Sequence, residues 1–215
     1  GFRRFDETAT QFMTTVSYSI GEQVSALKSH LSSISGAGDR ILETLPAWSE
    51  VNSGSGNLDG LNKMAQLTSE AFGGLGYAPL RITTQPVPFI DDDGREGVIE
   101  RGPILHFTAR ENAPKRIMLA GHIDTVFPKD SHFQKVARRP DGTLHGPGVA
   151  DMKGGILVML EALRCLEASP FAENVGIDVV LNSDEEVASH ASSAYMESIA
   201  AKADAGFVFE PALAD

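Results

Sequence analysis

Six ionisable residues of this 215-residue chain stand where chemistry could be done: His122, Asp124, Asp151, Glu185, Glu186 and Glu210. Most of them follow a short apolar run. Gly121-His122-Ile123-Asp124-Thr125 comes after 117–120, Asp184-Glu185-Glu186 after 175–181, and Glu210 after Phe207-Val208-Phe209, just ahead of Pro211. Asp151 lies between Gly146-Pro147-Gly148-Val149-Ala150 and Met152-Lys153-Gly154-Gly155, at a helix start. Apolar runs of this length read as buried strands, and in an open α/β sheet ligands bind outside the carboxyl ends of the strands. Carboxylates gathered in one such crevice repel one another, so a cation is the natural compensation.

One imidazole with several carboxylates and no thiolate suits zinc, with manganese or cobalt as substitutes. The adjacent side chains of Glu185-Glu186 point in different directions, whether the backbone is extended or turning. One can therefore ligate a metal while its neighbour faces a substrate as a general base. Asp124, two residues beyond His122, is close enough to accept the other ring N–H and fix the tautomer. Taken singly, each feature has an ordinary explanation: a turn, a solvated Glu-Glu pair, a helix cap at Asp151, a surface strand end at Glu210. Their recurrence at the exits of apolar strands in one α/β pattern is what favours a metal site.

The elements that must position these residues are legible from periodicity. Phe12, Val16, Ile20, Val24, Leu27 and Leu31 recur at helical spacing after a polar start, and Ser35-Gly36-Ala37-Gly38 interrupts them. A short helix over 41–51 carries Pro46 and Trp48, followed by the polar turn Asn52-Ser53-Gly54-Ser55-Gly56-Asn57. Asn57 or Asp59 caps a helix that runs to about Phe72 and stops at Gly73-Gly74. Residues 81–87 alternate, Asp91-Asp92-Asp93-Gly94 makes a hairpin turn, and 104–107 and 117–120 read as strands. Beyond the Asp141-Gly142 turn come a helix at 153–166, a strand at 175–181, a helix at 192–203 and a strand at 206–209. This alternation predicts an α/β fold, a three-layer α/β/α arrangement with a mostly parallel central sheet.

Composition narrows the function classes. With 18 Lys+Arg against 29 Asp+Glu the formal charge is −11, which argues against a nucleic-acid partner and against docking on an anionic membrane. Hydrophobic residues at 42% and charged ones at 22% are ordinary for a globular chain. The one cysteine, Cys165, excludes an intrachain disulfide framework and a multi-cysteine metal site. No apolar run approaches the roughly 18–20 residues of a membrane span. The N-terminus does not read as a signal peptide. The cytoplasm is the favoured compartment, with the periplasm or secretion left open by removal of a signal.

Gly121-His122-Ile123-Asp124-Thr125-Val126, the stretch from Gly146 to Gly155, Asn182-Ser183-Asp184-Glu185-Glu186 and Phe209-Glu210-Pro211 together resemble the motifs of the dizinc aminoacylase/carboxypeptidase family. That family includes acetylornithine deacetylase, succinyl-diaminopimelate desuccinylase, peptidase T and glutamate carboxypeptidase. Proline at 147, where many relatives have arginine, is most similar to the glutamate carboxypeptidase branch, as is the 52–57 loop. The resemblance runs from about residue 40 to the end.

Carried onto this chain, the resemblance implies that His122 and Glu210 ligate one zinc, Asp151 bridges two, and Glu186 ligates the other. Asp124 would support His122, and Glu185 would be the general base acting on a water at the metals. The implied reaction is hydrolysis of an amide or peptide bond releasing a C-terminal amino acid from a substrate with a free carboxylate. A deacylase or dipeptidase of the same family, or a non-catalytic metal- or partner-binding module, are the alternatives. The resemblance further implies that residues 1–38 are an N-terminal helical extension and 39–215 the first segment of the catalytic domain. A dimerisation lid and a later segment with the last zinc-ligating histidine would lie beyond it. The expectation is then a homodimer through that lid, and little or no turnover by these 215 residues alone. His190, His106, His132 and His145 fall outside the motifs and read as structural or surface residues.

Overall fold

The computed structural model describes residues 25, 28 and 31–212. The helix expected over 12–31 falls outside them apart from positions 25, 28 and 31, which are helical. A 3-10 turn, Ser32–Gly36, leads into α1 (Ala37–Ser49), which starts four residues ahead of Ile41. Asp39 in its first turn complements the positive end of the helix dipole. α2 (Leu58–Gly73) is capped by Asn57, whose side-chain oxygen accepts the Gly60 N–H, and it ends at the glycine pair as the sequence predicts.

Among the described residues nine strands follow: β1 (Ala78–Ile82), β2 (Val87–Ile90), β3 (Glu96–Ile99), β4 (Ile104–Ala109), β5 (Lys115–His122), β6 (Ala137–Arg138), β7 (Leu144–His145), β8 (Val175–Asn182) and β9 (Ala205–Val208). α3 (Lys153–Glu167) lies between β7 and β8, and α4 (Ser193–Ala200) between β8 and β9. The main sheet has the order β1-β4-β8-β5-β9, while β2-β3 and β6-β7 form separate hairpins.

The α/β class holds, and the central sheet is mixed. β8, β5 and β9 are parallel, whereas β1 and β4 run antiparallel to their neighbours. The reason lies in the connections. Only residues 110–114 join β4 to β5, too few for the crossover that a parallel pair requires. β4 therefore runs against β5, and also against β8, which lies between them. The helical connections from β5 onward, through α3 and α4, give the parallel half.

Alternation along the strands separates two faces. Phe107, Val179, Leu119 and Phe207 stand in register across β4, β8, β5 and β9. Phe107 stacks on Phe72 of α2 with ring centroids 4.9 Å apart. Leu45 and Trp48 of α1 and Ile156, Met159 and Leu160 of α3 complete that core. The opposite face, with Ile104, Met118 and Val180, packs on Tyr195, Met196 and Ile199 of α4, which gives three layers. Burial on both faces accounts for the nearly continuous apolar run of β8. Its exception, Asp178, accepts from Arg116 Nε and pairs with His106 Nε2, both at 2.9 Å, so His106 is structural. β9 is exposed along its length. No helix among the described residues is long and apolar enough to cross a membrane.

At the end of the sheet remote from His122, Arg110 donates to both Glu167 oxygens at 2.9 and 2.7 Å, and the Tyr77 hydroxyl donates to Oε1. Burial works against the charge of Glu167, but these donors outweigh it and hold the carboxyl below its ordinary value. A carboxyl depressed in the folded state contributes stability that is present above its unfolded pKa and lost as pH falls through the folded one. Urea unfolding should therefore find the chain more stable than Glu167→Gln at pH 7, by about 1.5–3 kcal/mol for charged hydrogen bonds. The gap should close as the pH drops below 4.5; a gap independent of pH would contradict this account.

Candidate metal centre

Because β8, β5 and β9 are adjacent and parallel, their carboxyl ends meet at one rim. His122 is the last residue of β5 and pairs with Asn182, the last of β8. The Ile123 N–H donates to the Asn182 carbonyl at 2.9 Å and continues the register past the strand. Glu210 follows β9 by two residues. Asp151 arrives by a different route, in the loop ahead of α3. Gly148 takes a left-handed turn there at φ +66. Gly155 lets the helix approach the strand leading to Glu210 so closely that a Cβ would lie 2.1 Å from the Phe209 carbonyl oxygen. That approach brings Asp151 and Glu210 to His122.

The floor of the cluster is buried and its rim open. The side chains of His122 and Asp124 have no solvent exposure, whereas those of Asp151, Glu185 and Glu210 are 52%, 48% and 39% exposed. His122 Nδ1 lies 3.1 Å from the Asp124 carbonyl oxygen and 3.2 Å from Asp124 Oδ1. Both neighbours are acceptors, so Nδ1 is the donor and Nε2 faces the cluster. Nε2 is 3.1 Å from Asp151 Oδ1, 3.6 Å from Glu210 Oε1 and 3.8 Å from Glu185 Oε2. One ligand atom each from His122, Asp151 and Glu186 lie within 4.8 Å of one another.

Glu185 and Glu186 stand on a 3-10 turn, Glu185–Val187. Asp124 holds this turn from beneath: Oδ1 accepts the Glu185 N–H and Oδ2 the Glu186 N–H, each at 3.2 Å, and Oδ2 also accepts from Ser55 Oγ at 2.7 Å. Asp184 faces away from the cluster. Its carboxylate accepts the Ala191 N–H at 2.7 Å and the Asn182 amide at 3.3 Å, which serves the turn alone. Asp151 makes no helix cap, since Met152 occupies that position and no side chain bonds there. The structure thus brings His122, Asp124, Asp151, Glu185, Glu186 and Glu210 together and leaves the exposed His132, His145 and His190 outside.

The electrostatics call for a cation. Burial raises the carboxyl pKa of both Glu186 and Glu210, and the charge of Asp151 raises it further. Burial disfavours the His122 imidazolium, but Asp124, Glu210 and Glu185 outweigh it and lift the group to about 9. Once Nε2 gives up its proton, one imidazole nitrogen among several carboxylates is a donor set that fits a divalent ion.

Sequence reasoning missed two supports. Lys153, wholly buried, donates to the carbonyls of Val51 at 2.7 Å and Trp48 at 3.2 Å, at and just past the end of α1. Burial pushes its ammonium down to about 7. It ties the loop that carries Asp151 to α1. The other support, Ser55, lies in a stretch whose glycines and serines signal only a turn. A buried position for either residue has no local signature.

In the metal-free chain, an NMR titration should place His122 near 9. Asp124→Asn should lower it, because burial then meets less opposition. A His122 pKa that stays near 9 in the variant would remove Asp124 from this role.

Residues 118–215 match the family model Peptidase family M20/M25/M40. Carboxypeptidase G2 of Pseudomonas sp. (strain RS-16) is 26% identical over 171 residues, covering 80% of this chain and 38% of the relative. Among solved structures, human carnosine dipeptidase 1 superposes with a TM-score of 0.68 at 20% identity, over 85% of this chain and 40% of that one. Dug1p, a di-peptidase from Saccharomyces cerevisiae, gives 0.67 at 16% identity over the same shares. The M20 family metallo-carboxypeptidase Sso-CP2 from Sulfolobus solfataricus gives 0.58 at 22%, over 80% and 38%. At these identities the structural likeness establishes the fold. The chain spans about two fifths of the length of these relatives.

Proposed function

We propose that this chain, which carries a Peptidase family M20/M25/M40 domain over residues 118–215, belongs to a metal-dependent hydrolase that releases a C-terminal amino acid from a peptide or N-acyl substrate. The observation that carries this reading is the convergence of one ligand atom each from Asp151, Glu186 and the buried His122 within 4.8 Å. The similarity to Carboxypeptidase G2 supports a glutamate carboxypeptidase-like substrate bearing a free carboxylate. On this reading His122, Asp151, Glu186 and Glu210 hold two zinc ions, for which cobalt or manganese can substitute. Residues 39–215 form the first segment of the catalytic unit, and a homodimer is the working form.

A cation held there supplies Lewis acidity, lowering the pKa of a water and polarising the scissile carbonyl. The chain's own groups do the rest. Asp124 holds the Nδ1 proton of His122, so Nε2 keeps its lone pair toward the cluster. Glu185, half in solvent and 3.8 Å from Nε2, takes the proton of the attacking water at its carboxylate. The oxygen of that water bonds to the acyl carbon, the C–N bond breaks, and Glu185 passes the proton to the departing amine. The buried floor keeps other water from the donors beneath.

Equilibrium dialysis against zinc should load the chain, and absence of uptake would end the reading. Glu185→Gln should retain that metal. In the form of the protein that turns over N-acyl amino acids, it should slow hydrolysis of an N-acyl-glutamate by about 10²–10⁴-fold. Unchanged turnover would dismiss Glu185 as the base.

A further inference from the structure

We propose that Ser55, in the loop ahead of α2, is a positioning residue that fixes the Asp124 carboxylate and through it both sides of the cluster. The inference rests on the metal reading above and concerns a residue outside the 118–215 stretch. Ser55 Oγ donates to Asp124 Oδ2 at 2.7 Å across 69 positions of sequence, and both residues are buried. Among the described residues it is the single side chain bonded to that oxygen; the Glu186 N–H, at 3.2 Å, is the other donor. Hydroxyl donation to a carboxylate is charge-assisted and stronger than a neutral bond. Without it, Oδ2 keeps one longer bond, and the carboxylate loses the contact that sets its rotation. Both of its oxygens act on the site: Oδ1 faces His122 Nδ1 and the Glu185 N–H, and Oδ2 bonds the Glu186 N–H. Loosening Asp124 would therefore relax the imidazole and the Glu185-Glu186 turn together.

The loop does not need this hydroxyl to stay in place. The Thr125 N–H donates to the Ser53 carbonyl at 3.0 Å, and the Ser55 N–H donates to the Thr125 carbonyl at 3.3 Å. Gly54 lies so near Phe127 that a Cβ would come within 2.2 Å of its carbonyl oxygen. Backbone contacts already dock the segment. Ser53 supplies an internal comparison: its hydroxyl is also buried and has no hydrogen-bond partner among the described residues.

The test compares Ser55→Ala, Ser55→Thr and Ser53→Ala with the unaltered chain. Cobalt(II) titration followed by visible absorption reads metal affinity, and hydrogen exchange at the Glu185 and Glu186 amides of the metal-free chain reads the turn. Ser55→Ala should weaken cobalt binding by about 10–100-fold and accelerate exchange at both amides, since loss of a group that orients a ligand costs on that order. Ser55→Thr, which keeps the hydroxyl, and Ser53→Ala, which removes an unbonded one, should leave both readouts close to the unaltered chain. Unchanged exchange in Ser55→Ala, or an equal effect of Ser53→Ala, overturns the proposal. Failure of the unaltered chain to bind cobalt would defeat the metal reading instead, and the exchange data would then decide the role of Ser55.

Discussion

Asp124 carries a carboxylate with no solvent exposure at the place where three separate parts of the chain meet: the loop ahead of α2, the end of β5 and the turn after β8. A buried charge is costly unless it is surrounded by donors. Here the donors are a serine hydroxyl, two turn amides and an imidazole, and none of them is near another in sequence except the two amides. Satisfying this one group requires that the three parts be in register. The imidazole that results is held with Nδ1 as donor and Nε2 outward, and the adjacent glutamates project from a fixed turn.

The sheet topology makes that meeting possible. Three neighbouring parallel strands end on the same side, so residues placed just past each end converge regardless of their separation along the chain. The antiparallel half contributes no residue to the cluster. It supplies the core against which α2 packs, through Phe107 and Phe72, and so holds the loop that carries Ser55. Asp151 depends on a different device, the close approach of α3 allowed by Gly155 and the anchoring of the loop by Lys153. The site is thus open at its exposed acids and rigid beneath them.

The excess of acidic residues acquires a location in this light. Part of the formal charge of −11 is concentrated at one rim, where burial and mutual repulsion raise the carboxyl values of Glu186 and Glu210. The imidazolium of His122 is stabilised for the same reason. A divalent cation would relieve both distortions, which is why the electrostatics and the donor geometry favour the same ligand.

Much of this was legible from local pattern. The apolar runs of β5 and β8, a helix cap at Asn57 or Asp59, the Asp141-Gly142 turn and the acids at the strand exits all follow from period and turn chemistry, which act over a few residues. Local pattern did not reveal that β4 opposes β8, that Asp184 turns back to the Ala191 amide, or that α1 begins at Ala37. Nor did it distinguish Ser55 from the unbonded Ser53, or show that Lys153 is buried against α1. By itself the sequence determined which residue types stand at the ends of which strands, because that is encoded in short-range periodicity. The tertiary structure alone decided which strands are neighbours and which side chain satisfies the buried Asp124, because those contacts join positions as far apart as Ser55 and Asp124 and depend on packing that no local window contains.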